Sequence, residues 1–426
     1  MAALRTYSGS EFGCRAGQFI EVDHNGAVRP DVQTPSALLH SHRMTIDGYV
    51  ATEFEPVLDV FAQNFDERGE VGAAVSMFLD GQPVVDLWGG LADPTSGAPW
   101  KEETLVLVYS ATKGVTAVGA NLLIQRGELD PEAPVATLWP EFAANGKDAI
   151  TVGQVLSHQA GLPYVEGDYT LEESLSWTPI VDALAAQAPI WEPGTKHGYH
   201  MRTFGWLVGE IIRRADPQHR SAGRFWRDEI ADALGIDFWI GLPEVLESRV
   251  AQLVPPRTDL RELLRAFGDD LLLARVFSNP GGHFNYDQMW NSRRLHAAEL
   301  PSSNGIGSAR GLARLYASCV GEVDGRRTLQ PDTVDRATEK RACGKDQVLM
   351  TDTCFGLGFM LGSSFGAANP PRAFGHAGAG GSLAFADPDT GLAFGYVMND
   401  LRFDPRGDPR SEELVRAAYR ALAPGS

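Results

Sequence analysis

The segment VYSATKG, residues 108–114, places Ser110 and Lys113 three residues apart, directly before the apolar run VTAVGANLLI. A helix that begins near Ser110 would put both side chains on one face, one turn apart. A serine hydroxyl becomes a nucleophile when a base takes its proton, and lysine can be that base once its pKa falls toward neutrality. Burial lowers a lysine pKa, and the apolar residues on both sides of the segment favour burial.

The same segment also fits an ordinary helix N-terminus. Serine is a good N-cap residue and lysine is common in helices, so Ser-x-x-Lys alone leaves both interpretations open. The chain uses lysine sparingly, with six lysines against 31 arginines, and only Lys113 follows a serine by three residues. Because a buried lysine can lose its proton and an arginine cannot, this lysine favours the chemical interpretation.

A second serine motif, GSSFG at residues 362–366, fits the Gly-x-Ser-x-Gly pattern of the nucleophile elbow in α/β-hydrolases. That pattern carries a nucleophile at a strand-to-helix turn, followed along the chain by an acid and then a histidine. Ser364 is instead followed by the loop GAANPPRAFG, and His376 comes only twelve residues later. Ser364 is therefore the weaker candidate.

The composition excludes several classes of partner. The 426 residues carry a formal net charge of −18, and so acidic a surface repels nucleic acid and anionic membranes. No apolar stretch is long enough to span a membrane, and residues 1–43 contain no apolar core of signal-peptide length. These features predict a cytoplasmic protein that binds neither nucleic acid nor membrane.

The four cysteines, Cys14, Cys319, Cys343 and Cys354, are scattered along the chain. They form no Cys-x-x-Cys pair and no Cys/His spacing typical of zinc sites, which predicts free thiols in a reducing compartment. The segment His40–His42 offers two possible metal ligands, but no third ligand lies near it in the sequence. We therefore expect no metal and no other cofactor.

Strand patterns cluster at the two ends of the chain. VGAAVSMFLDGQPVVDLWGG contains two β-rich runs that flank Asp80-Gly81, a strong hairpin signal. Near the C-terminus, FGLGFMLG, AFGHAG, GSLAFAD and GLAFGYVM are typical of short strands joined by turns. FEPVLDVFAQNF and RSEELVRAAYRAL predict a helix at each end.

The middle of the chain is mostly helical in pattern, as in TAVGANLLIQRG, TVGQVLSHQ, FGWLVGEIIRRA and DLRELLRAFGDDLLLARVF. The simplest architecture is an α/β (α+β) fold, in which terminal strands form an antiparallel sheet flanked by helices. We place the sheet domain at residues 44–114 and 300–426 and an inserted helical domain at 115–299, with the active site between them. Residues 1–43 form an N-terminal extension without clear periodicity.

Longer segments resemble serine β-lactamase-like and penicillin-binding-protein-like enzymes. GLADPTSGAPWKEETLVLVYSATKGVTA resembles the segment around the nucleophile of that family, and ITVGQVLSHQAGLP resembles its helix-turn segment. WEPGTKHGYHMRTFGWLVGEIIRR is similar to the second motif, LPSSNGIGSARGLARLYA to a further segment, and FGHAGAGGSLAFADPDTGLAFGYVMN to the third motif. The segments follow the family's order, and the resemblance is closest to class C β-lactamase-like carboxylesterases, the family VIII esterases.

This resemblance implies the β-lactamase-like fold and a serine hydrolase that needs no metal. Ser110 would be the acylated nucleophile and Lys113 its base. Tyr199 would share a proton network with Lys113 and protonate the leaving group. Its local sequence alone favours a different interpretation of Tyr199, as a core aromatic residue beside a turn.

The third motif falls on His376, Ala377 and Gly378, where β-lactamases usually have Lys-Thr-Gly. The resemblance implies that these three residues contact substrate. It also implies that the backbone N–H groups of Ser110 and Ala379 form an oxyanion hole for the tetrahedral intermediate. The many glycines here suit a backbone that approaches substrate closely, or a tight strand turn.

Two departures from the family pattern argue against β-lactam hydrolysis. Tyr199-His200-Met201 replaces the usual Tyr-x-Asn, and methionine cannot make that asparagine's hydrogen bond to a substrate amide. His376 replaces a lysine, and a partly charged histidine holds the carboxylate of a β-lactam less reliably. His200 remains either a substrate contact or a structural residue, and we interpret His158 as structural.

We therefore predict hydrolysis of esters with small or medium acyl groups. A β-lactamase, a D-amino-acid peptidase or amidase, and an acyltransferase would use the same residues. A non-catalytic protein that is acylated without turnover is less consistent with the joint presence of Ser110, Lys113 and Tyr199. The sequence indicates neither the physiological substrate nor the oligomeric state.

Overall fold

The computed structural model describes residues 45–257, 272–403 and 407–423. The expected N-terminal extension, with Cys14 and the His40–His42 segment, lies outside these ranges. Part of the helix predicted from DLRELLRAFGDDLLLARVF also lies outside them; its described end is helical over Leu272–Phe277.

One large antiparallel sheet is built from both ends of the described chain, as predicted. Its strand order is β1-β3-β2-β13-β12-β11-β10-β9-β8, with β4 paired to β3, and β5, β7 and β6 form a small separate sheet. The described strands are β1 (Ile46–Val50), β2 (Gly72–Leu79), β3 (Gln82–Asp93), β4 (Ala98–Pro99), β5 (Val106–Leu107), β6 (Phe238–Trp239), β7 (Ile306–Gly307), β8 (Ala342–Lys345), β9 (Asp352–Phe355), β10 (Met360–Leu361), β11 (Phe374–Ala377), β12 (Leu383–Asp387) and β13 (Leu392–Met398). The two chain ends meet where β2 pairs with β13, with Leu79 opposite Leu392.

The hairpin predicted at Asp80-Gly81 joins β2 to β3. Both turn residues have positive φ angles, 49° for Asp80 and 77° for Gly81, as a two-residue turn between twisted strands requires. A Cβ on Gly81 would stand 1.9 Å from the carbonyl oxygen of Glu322. This position therefore requires glycine both for its backbone conformation and for the space beside it.

Helices cover both faces of the sheet. The described α-helices are α1 (Glu55–Asp66), α2 (Ala111–Gln125), α3 (Val152–Leu156), α4 (Leu171–Leu175), α5 (Thr178–Ala186), α6 (Thr203–Ala215), α7 (Ala222–Trp226), α8 (Asp232–Leu234), α9 (Leu272–Phe277), α10 (Arg293–Ala297), α11 (Ala309–Val320), α12 (Pro331–Thr338) and α13 (Pro409–Leu422). Gly395 of β13 lies against α11, whereas Tyr396 donates to Glu70, which pairs with Arg410 of α13. Because adjacent strand residues point to opposite faces, all of β13 is buried.

The predicted start of the helical domain, at residue 115, lies within α2. Between residues 111 and 299, the described strand structure is limited to the two residues of β6. The boundary expected at residue 114 falls within α2, which packs on β11 on one side and on α6 on the other. We propose that the two regions meet along this helix and not at a linker.

The expectation of free thiols is wrong for two cysteines. Cys343 and Cys354 form a disulfide, because they lie directly opposite each other where β8 pairs with β9. The sequence pattern could not reveal this pair, since strands β8 and β9 were not predicted. Cys319 is a free and buried thiol. The cysteines therefore no longer argue for a reducing compartment.

Among the described residues, no helix is both long and apolar enough to cross a membrane. No group of three or more histidine, cysteine or acidic side chains in the described ranges is arranged to hold a metal ion.

Candidate active site

Ser110 stands at the N-terminus of α2, after a strained turn. The backbone leaves β5, and Tyr109 then takes a positive φ of 47°, which costs a non-glycine residue roughly 1–2 kcal/mol. Packing of the Tyr109 ring against Tyr286 and Trp290, at centroid distances of 5.1 and 4.9 Å, helps to hold this conformation. Ser110 occupies the N-cap position, but its hydroxyl makes no capping hydrogen bond, which argues against the plain N-cap interpretation.

Lys113 lies one helical turn further on and is fully buried. Its Nζ is 3.1 Å from Ser110 Oγ and donates to the carbonyl oxygens of Met201 at 2.6 Å and Ser302 at 3.0 Å. Burial lowers the pKa of Lys113 well below its ordinary value, and the charge of Arg202 lowers it further. Both effects favour the neutral amine, which can accept the Ser110 proton across the same 3.1 Å contact.

Tyr199 lies close to Lys113 and belongs to an irregular segment that precedes α6. Its ring centroid lies 4.7 Å from Lys113 Nζ, and its hydroxyl lies 3.5 Å from His376 Nε2. Burial raises the pKa of Tyr199 above its ordinary value, so the phenol is protonated near neutral pH. The structure thus brings Ser110, Lys113 and Tyr199 together, with Lys113 in contact with both other residues.

The turn after β11 lies against the residues that precede Ser110. Ser382 Oγ donates to the carbonyl oxygen of Val108 at 2.8 Å, and a Cβ on Gly378 would stand 2.1 Å from that oxygen. Among the described residues, the backbone N–H groups of Ser110 and Ala379 have no hydrogen-bond acceptor. Both residues are partly exposed, so their N–H groups remain available to a substrate oxygen.

His376 is buried on β11 beside the partly exposed Ala377. Its Nδ1 donates to the Ala377 carbonyl oxygen at 2.6 Å, which leaves Nε2 as an acceptor 3.5 Å from the Tyr199 hydroxyl. Burial, and then the charge of Lys113, lower the pKa of His376 to about 3. The ring is therefore neutral at physiological pH and cannot hold a substrate carboxylate by charge.

His200 uses both ring nitrogens to hold backbone. Nδ1 donates to the Gly198 carbonyl oxygen at 2.7 Å, and Nε2 accepts the Leu162 N–H at 3.0 Å. The backbone N–H of His200 donates to His158 Nδ1 at 3.1 Å. Burial lowers the pKa of His200 to about 4. Neither nitrogen of His200 is left for a substrate, so this pair of histidines fastens the Tyr199 segment to the end of α3.

Two buried charged residues next to Tyr199 were missed by the sequence analysis. The Arg202 guanidinium donates to the carbonyl oxygens of Phe277 at 2.5 Å and Phe284 at 2.6 Å, and has no carboxylate partner in the described ranges. The Asp346 carboxylate accepts the Tyr199 N–H at 3.0 Å. Arg202 lies next to the predicted tyrosine motif, but no local pattern pointed to Asp346.

Ser364 lacks the partners of a nucleophile. Its hydroxyl donates to the carbonyl oxygens of Leu361 at 2.6 Å and Cys354 at 3.2 Å, and no base contacts it among the described residues. It lines a groove of about 480 Å³ that runs from Ala377 toward α13. Ser110 is not among the residues that line this groove, which reaches the candidate site at Ala377, Gly378 and Ala379.

Comparison with known proteins identifies the family. The family model described as "Beta-lactamase" matches residues 58–418. The chain belongs to the β-lactamase family. Esterase/beta-lactamase LipL of Mycobacterium tuberculosis (strain ATCC 25618 / H37Rv) is 36% identical over 368 residues, which cover 83% of each chain.

Solved structures of the same family share its fold over most of the chain. A family VIII carboxylesterase superposes with a TM-score of 0.81 and 37% identity, covering 88% of this chain and 100% of the other. A penicillin-binding protein homolog from Caulobacter crescentus superposes with a TM-score of 0.80 and 39% identity. This match also covers 88% of this chain and 100% of the other. The predicted resemblance and fold are confirmed, and the protein is a serine hydrolase of the β-lactamase family.

Proposed function

We propose that this protein is a carboxylesterase that forms an acyl-enzyme on Ser110. The observation that carries the proposal is the contact between Ser110 Oγ and Lys113 Nζ at 3.1 Å, in surroundings that favour the neutral amine. The esterase names of LipL and of the family VIII carboxylesterase support ester hydrolysis.

In the acylation step, neutral Lys113 accepts the Ser110 proton while Oγ attacks the ester carbonyl carbon. The carbonyl oxygen becomes an oxyanion, which the N–H groups of Ser110 and Ala379 stabilise. When the carbon–oxygen bond to the alcohol breaks, the Tyr199 hydroxyl donates a proton to the departing alkoxide. Tyr199 then recovers a proton from the Lys113 ammonium, 4.7 Å from its ring centroid.

Deacylation runs through the same groups in reverse order. Tyr199 and Lys113 take a proton from water, the hydroxide oxygen attacks the acyl carbon, and Ser110 leaves with the proton returned to Oγ. His376 would accept a hydrogen bond from Tyr199 through Nε2. We assign His200 to positioning this segment, because its ring nitrogens already bind backbone groups.

An ester substrate without a carboxylate fits this site better than a β-lactam or a peptide. Met201 offers no amide group, and neutral His376 offers no charge to a substrate carboxylate. Ala377 and Gly378 are left to contact the substrate through their backbone. A β-lactamase, a D-amino-acid peptidase or amidase and an acyltransferase remain alternatives on the same residues. Small and medium acyl groups remain our predicted preference.

The first test is kcat/KM for p-nitrophenyl butyrate with the wild type, Ser110→Ala and the matched control Ser364→Ala. We expect Ser110→Ala to fall to the background rate while remaining folded, and Ser364→Ala to keep wild-type activity. Loss of activity only in Ser364→Ala would overturn the assignment. Faster turnover of nitrocefin than of the ester by the wild type would instead identify a β-lactamase.

A further inference from the structure

The segment that carries Tyr199 has no regular secondary structure to fix it. Residues 196–200 lie between a turn and the N-terminus of α6, whereas Ser110 and Lys113 are held by the rigid helix α2. The position of the Tyr199 hydroxyl relative to Ser110 must therefore come from side chains that bind this segment. Misplacement of a catalytic group by about 1 Å can cost on the order of 100-fold in rate.

The hairpin formed by β8 and β9 supplies those contacts. The Asp346 carboxylate, at the start of its loop, accepts the Tyr199 N–H through Oδ1 at 3.0 Å. The Gln347 N–H donates to the His197 carbonyl oxygen at 3.0 Å. His197 Nε2 donates to Thr353 Oγ1 at 2.9 Å, and Thr353 Oγ1 donates to Asp346 Oδ2 at 3.2 Å. The hairpin thus binds the segment on both sides of Gly198.

Asp346 combines contacts within its own loop with the contact to Tyr199. Its side chain is fully buried, and no cation pairs with it in the described part of the chain. Oδ1 also accepts the N–H groups of Val348 and Leu349, both at 2.8 Å. A buried carboxylate without a cation costs several kcal/mol, and an asparagine could accept the same three N–H groups through one oxygen. Of the groups that donate to this carboxylate in the described ranges, the Tyr199 N–H is the one that lies outside the hairpin.

We propose that Asp346 is a positioning residue of the reaction, which fixes the Tyr199 segment against the hairpin and acts on catalysis only through Tyr199. This proposal rests on the proposed role of Tyr199 in proton transfer. The negative charge of Asp346 also favours the protonated phenol that donates to the leaving group. Because Asp346 acts through the tyrosine, its removal cannot cost more than removal of the Tyr199 hydroxyl.

A double-mutant cycle tests this proposal, with kcat and KM for p-nitrophenyl butyrate measured in Asp346→Ala, Asp346→Asn, Tyr199→Phe and the double variant Asp346→Ala/Tyr199→Phe. We expect Asp346→Ala to lower kcat on the order of 10-fold to 100-fold with little change in KM. Asp346→Asn keeps the three N–H contacts of Oδ1 and should lose less. In the Tyr199→Phe background, Asp346→Ala should have almost no further effect.

The outcomes separate this proposal from the one on which it rests. Equal losses from Asp346→Ala in both backgrounds, or wild-type kcat in Asp346→Ala, would overturn the role of Asp346. Wild-type activity in Tyr199→Phe would overturn the role of Tyr199 itself, whatever Asp346 does. The exposed neighbour Lys345 provides the control: Lys345→Gln changes the same hairpin and should keep wild-type kcat. If Asp346→Ala does not fold, the same cycle is made with Asp346→Asn.

Discussion

The proposed base of this site, Lys113, is a lysine whose neighbouring side chains are almost all uncharged. His158, His200 and His376 lie close enough to feel the charge of Lys113, and burial lowers the pKa of each. All three rings are therefore neutral near pH 7, and Arg202 is the remaining positive charge that acts on Lys113. The Asp346 carboxylate is turned toward the Tyr199 backbone and the hairpin.

We expect Arg202→Met to move the acid limb of the pH–rate profile to higher pH. Lys113 works as a base when neutral, so kcat/KM falls as the pH drops through its pKa. Removing the Arg202 charge makes the Lys113 ammonium easier to form, which raises that pKa. The measurement is kcat/KM for p-nitrophenyl butyrate between about pH 5 and pH 9.

Arg202→Lys is the matched control, because it keeps the charge and loses the contacts with the Phe277 and Phe284 carbonyl oxygens. The acid limb of the pH–rate profile of Arg202→Lys should stay near that of the wild type, even if the maximal rate of this variant falls. A profile for Arg202→Met that is lower at every pH but not displaced would mean that Arg202 only organises the surrounding backbone.

At the scale of elements, α2 passes very close to α11 at Gly114. A Cβ on Gly114, the residue after Lys113, would stand 2.0 Å from Tyr316 Oη. That hydroxyl is buried and has no hydrogen-bond partner among the described residues. Gly114 therefore leaves space for the Tyr316 hydroxyl, although that hydroxyl makes no hydrogen bond with the described residues.

We expect Gly114→Ala to destabilise the protein by about 1–3 kcal/mol, because the added methyl group forces α2 and α11 apart. The same shift moves Ser110 and Lys113, so kcat/KM should fall as well. Tyr316→Phe alone should be nearly neutral, since no hydrogen bond is lost. Urea unfolding and ester hydrolysis are measured on both single variants and on the double variant.

The double variant Gly114→Ala/Tyr316→Phe should regain most of the lost stability and activity, because it removes the atom with which the methyl group collides. If the double variant were as impaired as Gly114→Ala, the cause would lie in the helix itself and not in its contact with α11.

Local patterns predicted the elements of this fold well where hydrophobic periodicity and turn residues coincide. The Asp80-Gly81 hairpin, α1, α13 and the strands β11 to β13 were all predicted from short segments. The β8–β9 hairpin was not, because ACGK and DTCF contain no clear alternation of apolar residues. Its disulfide and Asp346 were therefore missed, although the order of motifs indicated the residues of the candidate site.

The contacts that complete the site join residues far apart in the chain. Lys113 donates to the Ser302 carbonyl oxygen, 189 residues away, and Tyr199 donates to Asp346, 147 residues away. No sequence spacing encodes such pairs, since they depend on how the sheet and helices close on each other. A single sequence can thus name the reactive groups but not the residues that hold them in place.

At the scale of the whole molecule, one buried ion pair links the two ends of the described chain. Arg410 of α13 pairs with Glu70, just before β2, at 2.8 Å, and both side chains are fully buried. Arg410 Nη2 also donates to the Gly380 carbonyl oxygen at 2.8 Å, in the turn that contains Ala379. The pair therefore connects the closure of the sheet with the proposed oxyanion hole.

We expect Arg410→Met to destabilise the protein by about 3–5 kcal/mol, because it leaves the buried Glu70 carboxylate without its cation. Glu70→Gln should cost less, because Asp408 still pairs with Arg410 at 2.7 Å. Glu70→Gln/Arg410→Met removes both charges of the pair and should lose clearly less than the two single losses together. Arg416→Met, which breaks a partly exposed pair with Glu413 on the same helix, should cost less than about 1 kcal/mol. Thermal unfolding followed by circular dichroism measures all four variants. Strictly additive losses in the double variant would mean that the two side chains stabilise the fold independently and that this pair is not the link between the chain ends.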